Sequence, residues 1–148
     1  MIRFFLDASA LFAAADSATG GSREIIRLGF AGEVDLVVSE LVLEEARRNL
    51  AAKAPRALPA FEVFVASAPF TVVDASRAQV VAMARYTVLK DAPVVAAAKR
   101  ARVVCLISLD RKHLLGNHAL EKAAGLRILT PGAALRLLRE ALEGDDRV

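Results

Sequence analysis

Five short runs, residues 2–6, 35–38, 70–73, 103–107 and 127–129, are rich in β-formers, apolar on both faces, and separated by stretches of helical patterning. A strand that buries both faces does not fit a half-solvated sheet, where apolar and polar positions alternate. Five such strands interleaved with helices require a parallel sheet covered front and back, so the sequence predicts an α/β fold, a three-layer α/β/α sandwich. Helical patterning covers residues 8–15, 23–31, 40–52, 59–68, 76–87, 92–101 and 131–142. Ser22, Ser39 and Thr130 stand where a side-chain oxygen can accept from first-turn amides, and Pro131 brings the preset φ of a first helical residue. Stretches 16–22 and 54–59 read as loops too short to divide the chain. One domain over residues 1–148 is expected.

Composition supports this frame. Of 148 residues 55% are apolar, enough for a full core, yet only 5% are aromatic and none is Trp, which favours closely packed helices over aromatic-rich strands. At 25% charged residues the chain is not a disordered or low-complexity one. The single cysteine, Cys105, lies in an apolar run and has no internal partner for a disulfide, which points to a cytoplasmic protein. The apolar start is interrupted by Asp7, too early for a signal peptide, and no segment reaches membrane-spanning length, so no membrane partner is expected. The balance of 20 Lys and Arg against 17 Asp and Glu permits a polyanionic partner without demanding one.

The acids carry the functional signal. Asp7 ends the first strand, Asp110 follows the fourth by three residues, Asp91 opens a helix, and Glu40, Glu44 and Glu45 lie in the first turns of the helix after the second strand. An open parallel sheet presents all its strand ends along one edge, so residues leaving those ends can converge. Each acid alone is also explained by the positive end of a helix dipole. Together, Asp7, Asp91 and Asp110 sit in nearly apolar neighbourhoods with few polar groups expected to share their charge. Crowded carboxylates raise one another's pKa and call for a cation. On the helical wheel Glu45 falls between Leu41 and Val42, beside the buried stripe, whereas Glu44 falls on the solvated flank as the partner of Arg48. Glu45 is therefore the preferred ligand, with Glu44 and Glu40 as alternatives. No Cys pair exists and neither His113 nor His118 has zinc spacing, while carboxylate oxygens suit Mg²⁺ or Mn²⁺.

The segments Phe4-Phe5-Leu6-Asp7-Ala8-Ser9-Ala10-Leu11, Ser39 through Glu45, Lys90-Asp91-Ala92-Pro93-Val94-Val95-Ala96-Ala97-Ala98 and Leu106-Ile107-Ser108-Leu109-Asp110-Arg111-Lys112-His113-Leu114 resemble, in order and spacing, the acidic motifs of PIN domains. The ending Arg127-Ile128-Leu129-Thr130-Pro131 is similar to that family's final strand and turn. The resemblance implies an Mg²⁺- or Mn²⁺-dependent endoribonuclease, most often the toxin of a bacterial VapBC-type toxin–antitoxin pair. It assigns Asp7, Glu45, Asp91 and Asp110 as catalytic metal ligands, with Ser9 and Ser108 as supporting hydroxyls. Ser108 stands where a threonine is commoner, and His113 where many members carry another acid. Basic residues would attract RNA, with Arg47, Arg48, Lys99, Arg111 and Lys112 as candidates and Lys53, Arg56, Arg100 and Arg102 in reserve. A small antitoxin and a homodimer built on alanine-rich helices are the expected protein partners.

Two other functions fit a parallel α/β sheet with acids. A receiver-like phosphoacceptor domain needs an acidic pair at its first strand, and Asp7 has no acidic neighbour; a haloacid-type phosphatase needs an acid where Ser9 stands. The stronger alternative is a PIN-like domain that binds RNA or assembles without cleaving.

Overall fold

Strand β1 (Arg3–Leu6) is the middle of a five-stranded, all-parallel sheet ordered β3-β2-β1-β4-β5, with β2 at Asp35–Val38, β3 at Thr71–Val72, β4 at Cys105–Ile107 and β5 at Arg127–Leu129. The computed structural model describes residues 1–146. Phe5 sits opposite Val37 on one side and Leu106 on the other, and Phe4, Phe5 and Leu6 are all but inaccessible, as a strand covered on both faces requires. Burying each such side chain contributes roughly 1.5–3 kcal/mol.

Among the described residues eight α-helices cover the sheet: α1 (Ala8–Asp16), α2 (Gly21–Phe30), α3 (Glu40–Lys53), α4 (Leu58–Ser67), α5 (Arg77–Met83), α6 (Ala92–Arg100), α7 (His118–Ala124) and α8 (Pro131–Asp146). Right-handed crossovers put the helices between β1, β2 and β3 on one face, and those of the return through β4 to β5 on the other. The packing agrees: α1 lies against α2, α3 and α4, with α8 against α2, while α5 packs on α6 and both meet α7. The fold is thus the expected three-layer α/β/α sandwich.

Several boundaries differ from the sequence reading. Helix α2 starts at Gly21 with Gly20 at its N-cap, so Ser22 lies inside the helix, buried, with no hydrogen-bond partner for its hydroxyl. Gly21 lies where α2 and α8 approach closely, since a Cβ there would stand 3.3 Å from Pro131. Ser39 and Thr130 do cap, accepting the Val42 and Ala133 amides at 3.2 Å each. The stretch read as a loop before α4 forms a 3₁₀ turn at Pro55–Ala57, and α5 ends at Met83 rather than running on to residue 87.

Candidate active site

The strand order reverses direction at β1, so β1 and β4 flank the switch point where an open parallel sheet leaves a crevice beyond its C-terminal edge. Asp7 is the first residue beyond β1 and the N-cap of α1: its Oδ1 accepts the Ala10 amide at 2.9 Å. The Ser9 hydroxyl donates to the same oxygen at 2.6 Å and accepts the Leu109 amide at 2.9 Å. The Ser108 hydroxyl donates to Oδ2 and accepts the Asp110 amide at 3.0 Å. Two hydroxyls thereby tie the end of β1 to the loop leaving β4. The expectation that Asp7 has few polar neighbours is corrected: it has three donors, one of them 101 residues away. Burial nevertheless raises its carboxyl pKa, against the pull of Ser108, Ser9 and the Ala10 amide, and the charge of Glu45 adds to the rise.

Asp91 precedes α6 but does not cap it, since its side chain accepts no first-turn amide. The residue is 9% exposed and its Oδ2 is buried with no hydrogen-bond partner. Burial raises its pKa; Lys90 and His113 oppose the rise, while Asp110 and Glu45 reinforce it. Capping of a helix end therefore does not explain Asp91. Asp110 precedes a turn rather than a helix, and its Oδ1 accepts the Lys112 and His113 amides at 2.9 and 3.2 Å and closes that turn.

Glu45 reaches the same place from the second turn of α3. Together Asp7, Glu45, Asp91 and Asp110 line one cleft of ≈ 380 Å³ at the C-terminal edge of the sheet. Glu40 and Glu44 are exposed and outside it, so the helix-phase argument picked the inward glutamate, although Leu41 is 39% exposed instead of buried and no Glu44–Arg48 ion pair forms among the described residues. As placed, no three His, Cys, Asp or Glu side chains among the described residues close into a ready-made metal cage. Like charges resist closer approach. The donor set still suits a hard cation, because all four donors are carboxylates and the buried, unpartnered Asp91 Oδ2 is an oxygen that a cation would satisfy.

The basic candidates separate. Arg111 and Lys112 are exposed in the turn after Asp110, and Arg48 is exposed on α3 beside the cleft. Arg47 turns toward α4, with Nε 2.7 Å from Glu62 Oε1 and its guanidinium 5.4 Å from the Phe61 ring. Lys99 lies at the far end of α6, its Nζ donating to Ala123 O at 3.0 Å. The structure does not bring Arg47 or Lys99 to the cleft. Of the reserves, Arg56 pairs with Asp16 and Arg100 donates to Asp74 O, while Lys53 does line the cleft. The reading of the sequence passed over Asn49 and Lys90, which also line it. Counting four from Glu45 to Asn49 and four more to Lys53 marks one stripe of α3, a signal that was present.

No family model and no curated protein matches the sequence. Solved structures do. The crystal structure of PAE2754 from Pyrobaculum aerophilum is similar over 92% of this chain and 95% of its own, with a TM-score of 0.59 at 21% identity. That of Mycobacterium tuberculosis VapC20, a sarcin-ricin loop cleaving toxin, is similar over 74% of this chain and 91% of its own, with a TM-score of 0.54 at 19% identity. At such identities the likeness speaks for architecture, and with the parallel sheet and its switch-point cleft it establishes that the chain has the PIN-like α/β/α fold that the order of its acidic motifs pointed to.

Proposed function

We propose that the chain is a metal-dependent endoribonuclease acting from this cleft as the toxin of a toxin–antitoxin pair, with Asp7, Glu45, Asp91 and Asp110 as the groups that would hold Mg²⁺ or Mn²⁺. The observation that carries the reading is Asp91: a buried carboxylate with an oxygen unpartnered, sharing a cleft with three other acids, costs stability that no hydrogen bond within the chain offsets at that oxygen. When bound, a divalent cation supplies charge stabilisation to a reacting phosphodiester and activates water. The chain's own part is positioning. Ser9, Ser108 and the Ala10 amide fix the plane of the Asp7 carboxylate, and the Ser108 and Ser9 hydroxyls hold the Leu109–Asp110 backbone against it, so the acids from β1 and β4 keep a set relation. Lys53 and Lys90 add positive charge at the walls, suited to a polyanionic strand. A cytoplasmic homodimer with a small antitoxin over the cleft completes the proposal; no helix among the described residues is long and apolar enough to cross a membrane.

The second reading, an RNA-binding or assembly domain without cleavage, is favoured by one observation, the lack of three carboxylates already closed on a point among the described residues. One experiment separates the two. Purified protein incubated with mixed RNA should produce fragments with Mn²⁺ or Mg²⁺ and stop doing so on addition of EDTA. RNA retained but uncut at saturating Mn²⁺ would establish the non-cleaving reading instead.

A further inference from the structure

The acidic cleft is not isolated. A second hollow of ≈ 490 Å³, lined by Leu41, Glu45, Arg48, Asn49, Lys90 and Pro93, shares Glu45, Asn49 and Lys90 with it. The two hollows therefore meet at a saddle, with α3 contributing Glu45 and Asn49 and the start of α6 contributing Lys90. Cations border both hollows: Lys53 in the first, Lys90 in both and Arg48 in the second. Among the described residues none of the three makes an ion pair or a side-chain hydrogen bond, although Lys53 and Lys90 border a hollow containing four acids. Elsewhere on the molecule Arg3, Arg27, Arg47 and Arg56 are held by carboxylates. The second hollow also explains why Leu41 is exposed on α3: with Pro93 it forms an apolar wall beside Arg48.

From these placements we propose that the two hollows form one track for a single strand of RNA, its phosphates carried by Lys53, Lys90 and Arg48 and one base resting on Leu41 and Pro93. This rests on the nuclease reading and names how its substrate lies. Each hollow has the volume of a small-ligand site, enough for about one nucleotide. Along α3, Glu45, Asn49 and Lys53 rise by roughly 6 Å per step, so the strand crosses that helix lengthwise past the acids. Arg48 lies one residue from Asn49, turned by about 100° toward the second hollow. The track thus carries cations in both hollows.

Fluorescence anisotropy of a labelled single-stranded RNA, read in EDTA across a salt series, tests the track without requiring turnover. Arg48→Ala, Lys53→Ala and Lys90→Ala should each weaken binding about threefold to fivefold and lower the slope of log K against log salt by about 0.7. Lys122→Ala, exposed on α7, should do neither. Thermal melts confirm that each variant folds. Three variants indistinguishable from Lys122→Ala would overturn the track, as would failure of the wild type to bind RNA at low salt while it binds polyglutamate, which would assign the cations to an acidic protein. The two readings fail separately. Variant-sensitive binding with no Mn²⁺-dependent cleavage keeps the track and sinks the nuclease, whereas cleavage with variant-insensitive binding does the reverse.

Discussion

Ser108→Ala tests whether the acids are held in place by the chain rather than by a cation. Ser108 is fully buried, its hydroxyl donates to Asp7 Oδ2, and its oxygen accepts the Asp110 amide at 3.0 Å. A hydrogen bond to a charged group is worth about 1.5–3 kcal/mol, and the part-buried amide left without an acceptor adds about 1 kcal/mol, so the metal-free variant should lose roughly 2–4 kcal/mol. For a chain near this length each kcal/mol moves Tm by about 2–4 °C, which predicts a fall of roughly 5–15 °C near neutral pH. The Ser108 hydroxyl holds the Asp7 pKa down, so its loss leaves Asp7 more readily protonated. The penalty should therefore be full where Asp7 is ionised and shrink as pH falls toward the ordinary aspartate value of 3.8. Ser108→Cys, nearly the same size but a weak donor, controls for the small cavity. Differential scanning calorimetry at several pH values reads both quantities. A loss under about 0.5 kcal/mol, or one independent of pH, would refute the claim that this hydroxyl fixes Asp7.

Asp91→Asn should leave the metal-free protein as stable or slightly more stable, because it removes a buried charge with no partner, and should abolish the rise in Tm that Mn²⁺ gives the wild type, as melts with and without metal will show. Asp7 and Asp91 both have raised folded pKa values, so the folded state binds protons more tightly than the unfolded chain. Metal-free stability should thus decline as pH rises from 3.8 through those values and level off above them, and the Asp91→Asn variant should flatten that decline in chemical-denaturation curves. Asp110→Asn, which keeps the oxygen accepting the Lys112 and His113 amides, should be nearly neutral for folding, whereas Asp110→Ala should cost about 0.5–2 kcal/mol in the same assay. Gly29→Ala would place a Cβ 2.3 Å from Leu36 Cδ1, and the expected loss of about 1–3 kcal/mol is measurable by urea titration.

The parts of the fold legible in the sequence are those set by burial on both faces. All five strands stand where continuous apolar runs put them: β2 and β5 keep the expected bounds, β1 and β4 are trimmed at their starts, and β3 shrinks to Thr71–Val72 as a half-exposed edge strand. Helix α7 escaped detection for the opposite reason: seven residues carrying His118, Glu121 and Lys122 have too little apolar periodicity. Its punctuation was nevertheless written in the chain, with Asn117 Oδ1 accepting the Leu120 amide at 3.1 Å and Gly125 at φ 69 ending the helix.

The cleft shows the same division between local and long-range information. Convergence of the acids followed from topology, since strand ends and the starts of returning helices share one edge, and helix phase separated Glu45 from Glu44. What local sequence could not provide was the state of each charge. Asp7 and Asp91 both follow or precede apolar stretches and read alike, yet Asp7 is held by the hydroxyls of nearby Ser9 and distant Ser108 while Asp91 is left with an orphaned oxygen. That difference arises only when β4 is laid beside β1, bringing Ser108 to Asp7 and nothing to Asp91. A purely structural network would satisfy both carboxylates, because each buried unpaired oxygen costs of order 1–3 kcal/mol out of a net stability of about 5–15 kcal/mol. One acid anchored and its neighbour left open is instead the arrangement expected of a site whose last ligand comes from outside the chain.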